Sequence, residues 1–115
     1  MAVLRVVPDI TSEAIPASRE FYGLLGLEET MDLGWVVILA APGRPEVQLI
    51  LMGPDATAPV QPDMSIGVDD VDAAYEQMVA AGAEIVHGLR DEPWGVRRFF
   101  VRDPNGKVVN VVANL

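Results

Sequence analysis

Two amide side chains stand in stretches of sequence that are otherwise apolar. Asn110 interrupts a valine-rich segment near the C-terminus, and Gln48 lies in a Val/Leu/Ile segment of the first half. An amide offers an acceptor and two N–H donors, so a buried pair could orient a polar ligand without adding charge. The alternative is that each amide satisfies backbone groups or faces solvent. The residue types alone leave both interpretations open.

Aromatic residues form a second set of candidates. Trp35 follows a glycine, Trp94 lies in the segment EPWG, and both stand near the ends of predicted strands. Aromatic faces stack on planar ligands and attract cations, whereas core packing is the alternative role. Phe99 and Phe100 are adjacent in a strand, so they point to opposite faces. Phe100 is included among the candidates, although the sequence does not decide which of the two faces inward.

Alternating strands and helices must position these residues. In the first half, apolar periodicity and turn residues predict a strand, a helix that ends at Gly26 and three more strands. The four strands are predicted at residues 3–7, 27–31, 35–41 and 47–52. Ser12 and Glu13 supply capping chemistry for the helix, and Pro16 suits its first turn. The order of elements is therefore β-α-β-β-β.

The second half repeats this order. Asp69 or Asp70 is predicted to cap a helix that ends at Gly82. The four strands of this half are predicted at residues 64–68, 83–87, 96–102 and 108–113. Superposing Pro42 of the first half on Pro104 of the second places Gln48 on Asn110, which supports an internal repeat. We predict one domain of two modules, residues 1–53 and 63–115, joined by a proline-rich linker at 54–62.

Composition narrows the function. Seventeen acidic residues against eight basic ones give a formal charge of −9, so the surface should repel nucleic acid. Every apolar run is far shorter than the roughly 20 residues that span a bilayer, and we expect a cytoplasmic protein with no membrane partner. The absence of cysteine excludes disulfides and thiol chemistry. No hydrolase triad, phosphate-binding loop or dinucleotide motif occurs.

Three segments resemble a known superfamily. They are REFYGLLGLEE at 19–29, VDDVDAAYEQMVAAGAEI at 68–85 and EPWGVRRFFVRDPNGKVVNVV at 92–112. Together they are similar to the vicinal oxygen chelate superfamily, which includes glyoxalase I, extradiol dioxygenases, and fosfomycin- and bleomycin-resistance proteins. The resemblance implies an α+β fold in which two βαβββ modules form a curled mixed sheet around a cavity.

The resemblance also implies where a metal would be held. Catalytic members take ligands, mostly His and Glu, from the first and last strand of each module. The matching positions here are Ala2 or Val3, Gln48, Asp63 or Met64, and Asn110. Neutral amides and apolar side chains bind divalent metals poorly compared with imidazole and carboxylate. We therefore expect no metal and no other cofactor. The only histidine, His87, lies away from these positions and is expected to be a half-exposed strand residue.

The sequence then favours a metal-free binding protein of the glyoxalase/bleomycin-resistance type. Small acidic members without the metal sequester a planar, cationic drug as homodimers, so we expect an unknown planar or cationic small molecule as ligand and a homodimer as the assembly. No catalytic residue is assigned. The predicted ligand-binding residues are Trp35, Gln48, Asp63, Trp94, Phe100 and Asn110. Two alternatives remain open: an enzyme with an atypical site around Asp63, with or without a metal, and a non-catalytic interaction module.

Overall fold

A computed structural model describes all 115 residues, which form eight strands and two helices. The elements in chain order are β1 (Val3–Thr11), α1 (Ile15–Leu24), β2 (Glu28–Asp32), β3 (Val36–Ala41), β4 (Arg44–Met52), β5 (Met64–Val68), α2 (Val71–Ala80), β6 (Ile85–Glu92), β7 (Val96–Arg102) and β8 (Val108–Asn114). This order confirms the α+β class and the two βαβββ modules. Neither helix is long and apolar enough to span a membrane.

The chain forms two compact units. The N-terminal unit comprises Val7–Ala56, and the C-terminal unit comprises Met1–Val6 together with Thr57–Leu115. Met1–Val6 is held in the C-terminal unit in part by two hydrogen bonds: the Ala2 N–H donates to Asp69 Oδ1 at 2.6 Å, and the Asp69 N–H donates to the Ala2 carbonyl at 3.1 Å.

In the N-terminal unit the strand order is β2-β3-β4-β1. The β1/β4 pair is parallel and the other pairs are antiparallel, so the sheet is mixed. Its main apolar cluster is built on the buried residues Val37, Leu39, Leu49 and Leu51, against which Ile15 and Tyr22 of α1 pack. These four residues share one face of the sheet because side chains alternate between its two faces along β3 and β4.

The first strand continues beyond Pro8, where the sequence predicted its end. Asp9 to Thr11 pair with Ile50 to Met52 of β4. Proline has a backbone angle compatible with an extended chain and lacks only the N–H group. Pro8 precedes the first of these paired residues and so does not break the strand. Strand β6 likewise extends beyond His87, to Glu92.

In the C-terminal unit the order of the second module's strands is β5-β8-β7-β6, again with one parallel pair, β5/β8. Helix α2 packs on one face, where Val71 and Ala74 meet Phe99, Val109 and Val111. Asp70 caps this helix, because its Oδ1 accepts a hydrogen bond from the Ala73 N–H at 3.0 Å. The capping role predicted for Asp69 or Asp70 thus falls to Asp70.

Candidate functional site

The sheet of the C-terminal unit has a second face, opposite α2, that carries polar residues. Along β8, Val109 and Val111 point to the α2 core, so Asn110 between them points to the other side. Strand register places Ser65 and Phe100 directly opposite Asn110, and His87 opposite Phe100. These four residues form one row across four strands. We call the face that carries them the polar face.

Asn110 is the centre of this row. It is only 9% exposed, and its Nδ2 donates to the Ser65 hydroxyl at 2.9 Å. Its Oδ1 is buried without a hydrogen-bond partner. A buried acceptor left without a donor costs on the order of 1–3 kcal/mol, so such atoms in folded proteins call for a specific explanation. A ligand that supplies an N–H or O–H group would satisfy it.

A buried ion pair lies beside the row. Arg98 Nη2 is 3.0 Å from Glu92 Oε2, and the two side chains are 3% and 0% exposed. Glu92 Oε2 also accepts from the Thr57 hydroxyl, and Glu92 Oε1 lies 2.6 Å from Arg90 Nε. Arg98 Nη2 reaches the same hydroxyl at 3.0 Å. The guanidinium groups of Arg90 and Arg98 compensate the buried charge of Glu92, although Oε1 makes no hydrogen bond and is held by charge proximity alone.

Arg98 also joins the two aromatic candidates of this unit. Its guanidinium carbon lies 4.8 Å from the ring centroids of both Trp94 and Phe100. Trp94 stands in the turn between β6 and β7, where the Gly95 N–H donates to the Glu92 carbonyl at 3.1 Å. The guanidinium therefore occupies a cation–π position toward each ring. Phe100 is fully buried on the polar face, whereas Phe99 packs against Tyr75 of α2.

His87 is less exposed than the sequence predicted. Its side chain is 9% exposed, its ring centroid is 5.0 Å from that of Phe100, and its Nε2 lies 3.7 Å from Glu92 Oε1. Burial lowers the pKa of His87, and the nearby charge of Arg98 lowers it further, while Glu92 opposes the shift. The imidazole is thus held toward its neutral form.

Gly67 makes room for another arginine. A Cβ atom at Gly67 would lie 2.7 Å from the Arg5 Cγ and 2.8 Å from its Nε. Gly67 lies two residues after Ser65 on β5, and hence on the same face. The missing side chain therefore lets the Arg5 stem cross β5 on the polar face.

The remaining candidates are two residues of the N-terminal unit and one residue that precedes β5. In the N-terminal unit, Gln48 donates from its Nε2 to the Pro45 carbonyl at 2.8 Å, and Trp35 precedes β3 with its carbonyl 2.7 Å from the Gly53 nitrogen. Both residues are half-buried. Asp63 is an exposed residue whose Oδ2 accepts from the Val108 N–H at 2.8 Å, beside the start of β5. Of the six candidates, Trp94, Phe100 and Asn110 are therefore brought onto or beside the polar face.

The donor set does not fit a divalent metal. No three His, Asp or Glu side chains come together as a metal-binding group. The residue of β5 that lies opposite Asn110 is Ser65, which offers a hydroxyl group. Neither Asp63 nor Met64, the positions that the family resemblance implies, is paired with Asn110. A neutral amide and a hydroxyl compensate poorly for the water shell that zinc, iron or manganese would lose. The polar face is better suited to hydrogen bonding.

Sequence reasoning missed the residues that hold the polar face together: Ser65, His87, Glu92, Arg98 and, in the predicted linker, Thr57. A signal was available for part of this set. Arg98 and Phe100 are two residues apart on one strand and therefore share a face. Arg90, Glu92 and Trp94 follow the same alternation into the turn. The hydrogen bonds of Thr57 could not have been inferred, because 35 and 41 positions separate it from Glu92 and Arg98.

A family model described as the glyoxalase/bleomycin resistance protein/dioxygenase superfamily matches residues 4–111. No curated protein matches the sequence.

Solved structures share the fold at low identity. A glyoxalase/bleomycin resistance protein/dioxygenase superfamily member from Vibrio splendidus 12B01 is 23% identical, with a TM-score of 0.72 over 98% of this chain and 100% of that one. Methylmalonyl-CoA epimerase from Mycobacterium tuberculosis is 21% identical, with a TM-score of 0.68 over 98% and 87%. The Mn(II)-bound glyoxalase from Novosphingobium aromaticivorans is 21% identical, with a TM-score of 0.63 over 96% and 38%. Identities this low show the fold alone.

Proposed function

The chain belongs to the glyoxalase/bleomycin resistance protein/dioxygenase superfamily, and on that premise we propose that it is a metal-free small-molecule binding protein. The observation that carries the proposal is Asn110. It stands on the last strand of the second module, where the family resemblance implies a metal-binding carboxylate. It is buried, hydrogen-bonded to Ser65 on one side and without a partner at Oδ1. An unsatisfied acceptor in this position supports a ligand that donates a hydrogen bond.

The neighbouring residues support a planar ligand. Trp94 is half-buried and Phe100 is buried, and Arg98 already takes the cation–π position toward both rings. A cationic ligand would compete with that guanidinium. A flat molecule with an N–H or O–H group therefore suits the polar face better than a cation does. Sequestration of such a compound is the corresponding role, by analogy with resistance proteins of the superfamily.

Metal analysis tests the first half of the proposal. Protein purified without chelators should contain far less than one divalent metal per chain by inductively coupled plasma mass spectrometry, because amide and hydroxyl donors hold such ions weakly. Protein reloaded with zinc, manganese, iron or nickel should lose the metal on dialysis. Stoichiometric metal that EDTA removes together with a catalytic activity would overturn the proposal.

Ligand binding tests the second half. Planar compounds that carry an N–H or O–H donor should quench the tryptophan fluorescence with saturation. Asn110→Ala should weaken that binding by about tenfold, the effect of roughly 1.4 kcal/mol of lost interaction. Asn114→Ala is the matched control, because Asn114 ends the same strand but is exposed. Equal affinities for wild type and N110A would contradict the role of Asn110.

The enzymatic alternative around Asp63 has no comparable support, because that carboxylate is exposed and serves the Val108 N–H. A non-catalytic interaction module remains the second candidate. A thermal-shift screen without any stabilising compound would favour it.

We also propose a homodimer in the cytoplasm, with no nucleic-acid or membrane partner. The assembly is supported by apolar side chains at the end of α1: Phe21, Leu24 and Leu25 are 59%, 83% and 73% exposed. Neighbouring exposed apolar groups of this size are typical of protein interfaces.

A further inference from the structure

An apolar cleft of about 460 Å³ opens on the α2 side of the C-terminal unit, away from the polar face. It is lined by Ile66, Met78, Ala83, Val101, Val109 and Val111, with Arg102, Asp103 and Pro104 at its edge. Val101, Val109 and Val111 are at most 8% exposed and belong to the hydrophobic core of this unit. The cleft therefore reaches from the surface to the core. Its volume lies within the range of roughly 300–1,000 Å³ that small-molecule sites occupy.

The cleft lies at the C-terminal end of α2, where Met78 and Ala83 line it. The helix has 10 residues and is thus about 15 Å long. The chain then turns through Gly82, whose φ is +76°, and the Ala83 N–H returns to the Met78 carbonyl at 3.0 Å. Ile66 on β5, which also lines the cleft, is only half-buried.

The polar groups at the edge are already satisfied within the chain. Arg102 Nε lies 2.9 Å from Glu84 Oε2, and its Nη1 donates to the Gly106 carbonyl at 3.0 Å. Asp103 Oδ1 accepts from the backbone N–H groups of Asn105 and Lys107, each at 2.8 Å. An incoming ligand therefore meets no unpaired buried donor or acceptor here. The edge carries two carboxylates, Glu84 and Asp103, and one guanidinium, Arg102, so its net charge is negative and it does not favour an anion.

We propose that this cleft binds a neutral, apolar small molecule, at a site separate from the polar face. Six lining side chains offer only hydrocarbon or thioether surface, so burial of apolar surface and van der Waals contact are the main sources of affinity. A charged ligand would lose hydration without gaining a partner. A cleft of this volume suits a small molecule, whereas a protein partner would need a much larger contact surface.

Met78 stands at the mouth and suits this role. It is 39% exposed and lines the cleft from the last turns of α2. A methionine side chain has three rotatable bonds and a polarizable sulfur, so it adapts to ligands of different shape. The mouth can thus adjust while the valines beneath it stay packed.

The neutral fluorophore N-phenyl-1-naphthylamine provides the test. We expect saturable fluorescence enhancement with one site per chain. In methyl NMR spectra the probe should shift signals of Ile66, Met78, Val109 and Val111 in the wild-type protein. Ala83→Leu fills the cleft and should weaken binding at least about tenfold, which corresponds to roughly 1.4 kcal/mol. The NMR mapping does not depend on any variant and decides the matter if A83L fails to fold.

Two controls separate this site from other surfaces. Leu24→Ser removes an exposed apolar side chain from α1 and should leave probe binding unchanged, and so should Asn114→Ala at the exposed end of β8. Loss of binding in L24S but not in A83L would show adhesion to α1 and overturn the proposal. Absence of probe binding up to the solubility limit of the probe would also overturn the proposal. A change in oligomeric mass on Ala83→Leu would overturn it as well, because it would identify the cleft as a contact between two copies of the chain. Failure of N110A to affect planar ligands bears only on the function proposed above.

Discussion

At the scale of single residues, Glu92 is the most consequential side chain of the polar face. It is completely buried and compensates the charge of Arg98, which in turn stands against Trp94 and Phe100. Removing one partner of a buried ion pair leaves the other charge buried without compensation. The resulting loss of stability is much larger than the net stability that the intact pair contributes. The position of the Arg98 guanidinium over Trp94 and Phe100 therefore depends on the Glu92 carboxylate, which itself contacts neither ring.

Replacing Glu92 tests this dependence. Glu92→Gln should lower the free energy of unfolding by about 3–5 kcal/mol, because Arg98 remains charged and buried. Urea denaturation followed by circular dichroism measures the change. Asp91→Asn in the same strand is the matched control, since Asp91 pairs with Arg97 at 3.0 Å in an exposed position and should matter little. Similar losses in both variants would refute the special role of the buried pair.

His87 gives the polar face a dependence on pH. Burial and Arg98 lower its pKa in the folded protein below the ordinary value of 6.5. As pH falls through that value, the unfolded chain takes up a proton and the folded chain does not. The stabilisation is therefore fully present above about pH 6.5 and is lost as pH falls toward the lowered pKa.

Denaturation of wild type and His87→Gln at about pH 7.5 and about pH 5.5 measures this contribution. The wild type should lose more stability on acidification than H87Q, and NMR of the imidazole protons should show a lowered pKa directly. Equal losses, with an imidazole titrating at its ordinary value, would refute the assignment.

At the scale of elements, period-two alternation decides what each strand presents to its two faces. On β8, Val109 and Val111 face the α2 core, whereas Asn110 faces away. On β7, Phe99 and Phe100 divide in the same way. A shift of either strand by one residue would exchange these faces. The register of β7 and β8 therefore decides which of their residues lie on the polar face.

The two helices begin differently, and α2 has the stronger start. Asp70 caps α2 through the Ala73 N–H, whereas Ala14 at the start of α1 offers no side-chain cap. Asp70→Ala should therefore cost about 1 kcal/mol of unfolding free energy. Glu76→Ala, at an exposed position within α2, is the control and should change stability little. Thermal and urea unfolding measure both, and an equal effect of the two substitutions would contradict the cap.

At the scale of the whole molecule, charge and exposed apolar surface act in opposite directions. A net charge of −9 makes copies repel each other, whereas Phe21, Leu24 and Leu25 favour association. Salt screens the repulsion but leaves the apolar contact largely unaffected. The proposed homodimer should accordingly strengthen as ionic strength rises.

Light scattering coupled to size exclusion tests this expectation. The wild type should approach twice the chain mass of 12.4 kDa, most completely at high salt. Leu24→Ser with Leu25→Ser should shift the protein toward the monomer. Leu33→Ser, which alters an exposed leucine between β2 and β3, should not. A wild type that stays monomeric at all protein and salt concentrations would exclude the homodimer.

Much of the fold could be predicted because local signals were strong. Strand β5 and strand β7 have the predicted bounds, and α2 begins after its predicted cap. Two predicted strand ends were too early. Pro8 was treated as the end of β1 and His87 was the last predicted residue of β6, but pairing with neighbouring strands extends both strands beyond these residues. Pairing partners distant in sequence supply hydrogen bonds that a local propensity does not contain.

The sequence by itself determined the family, the βαβββ order of each module and the neutral amides, Gln48 and Asn110, at two of the positions where the family resemblance implies metal ligands. Those features follow from residue types and from periodicity along the chain. Only the tertiary structure decided that Asn110 meets Ser65, that Phe100 rather than Phe99 lies on the polar face, and that Glu92 and Arg98 are buried together with Thr57. Such contacts join positions far apart in the chain, and their energies depend on burial and geometry, which exist only once the strands have paired.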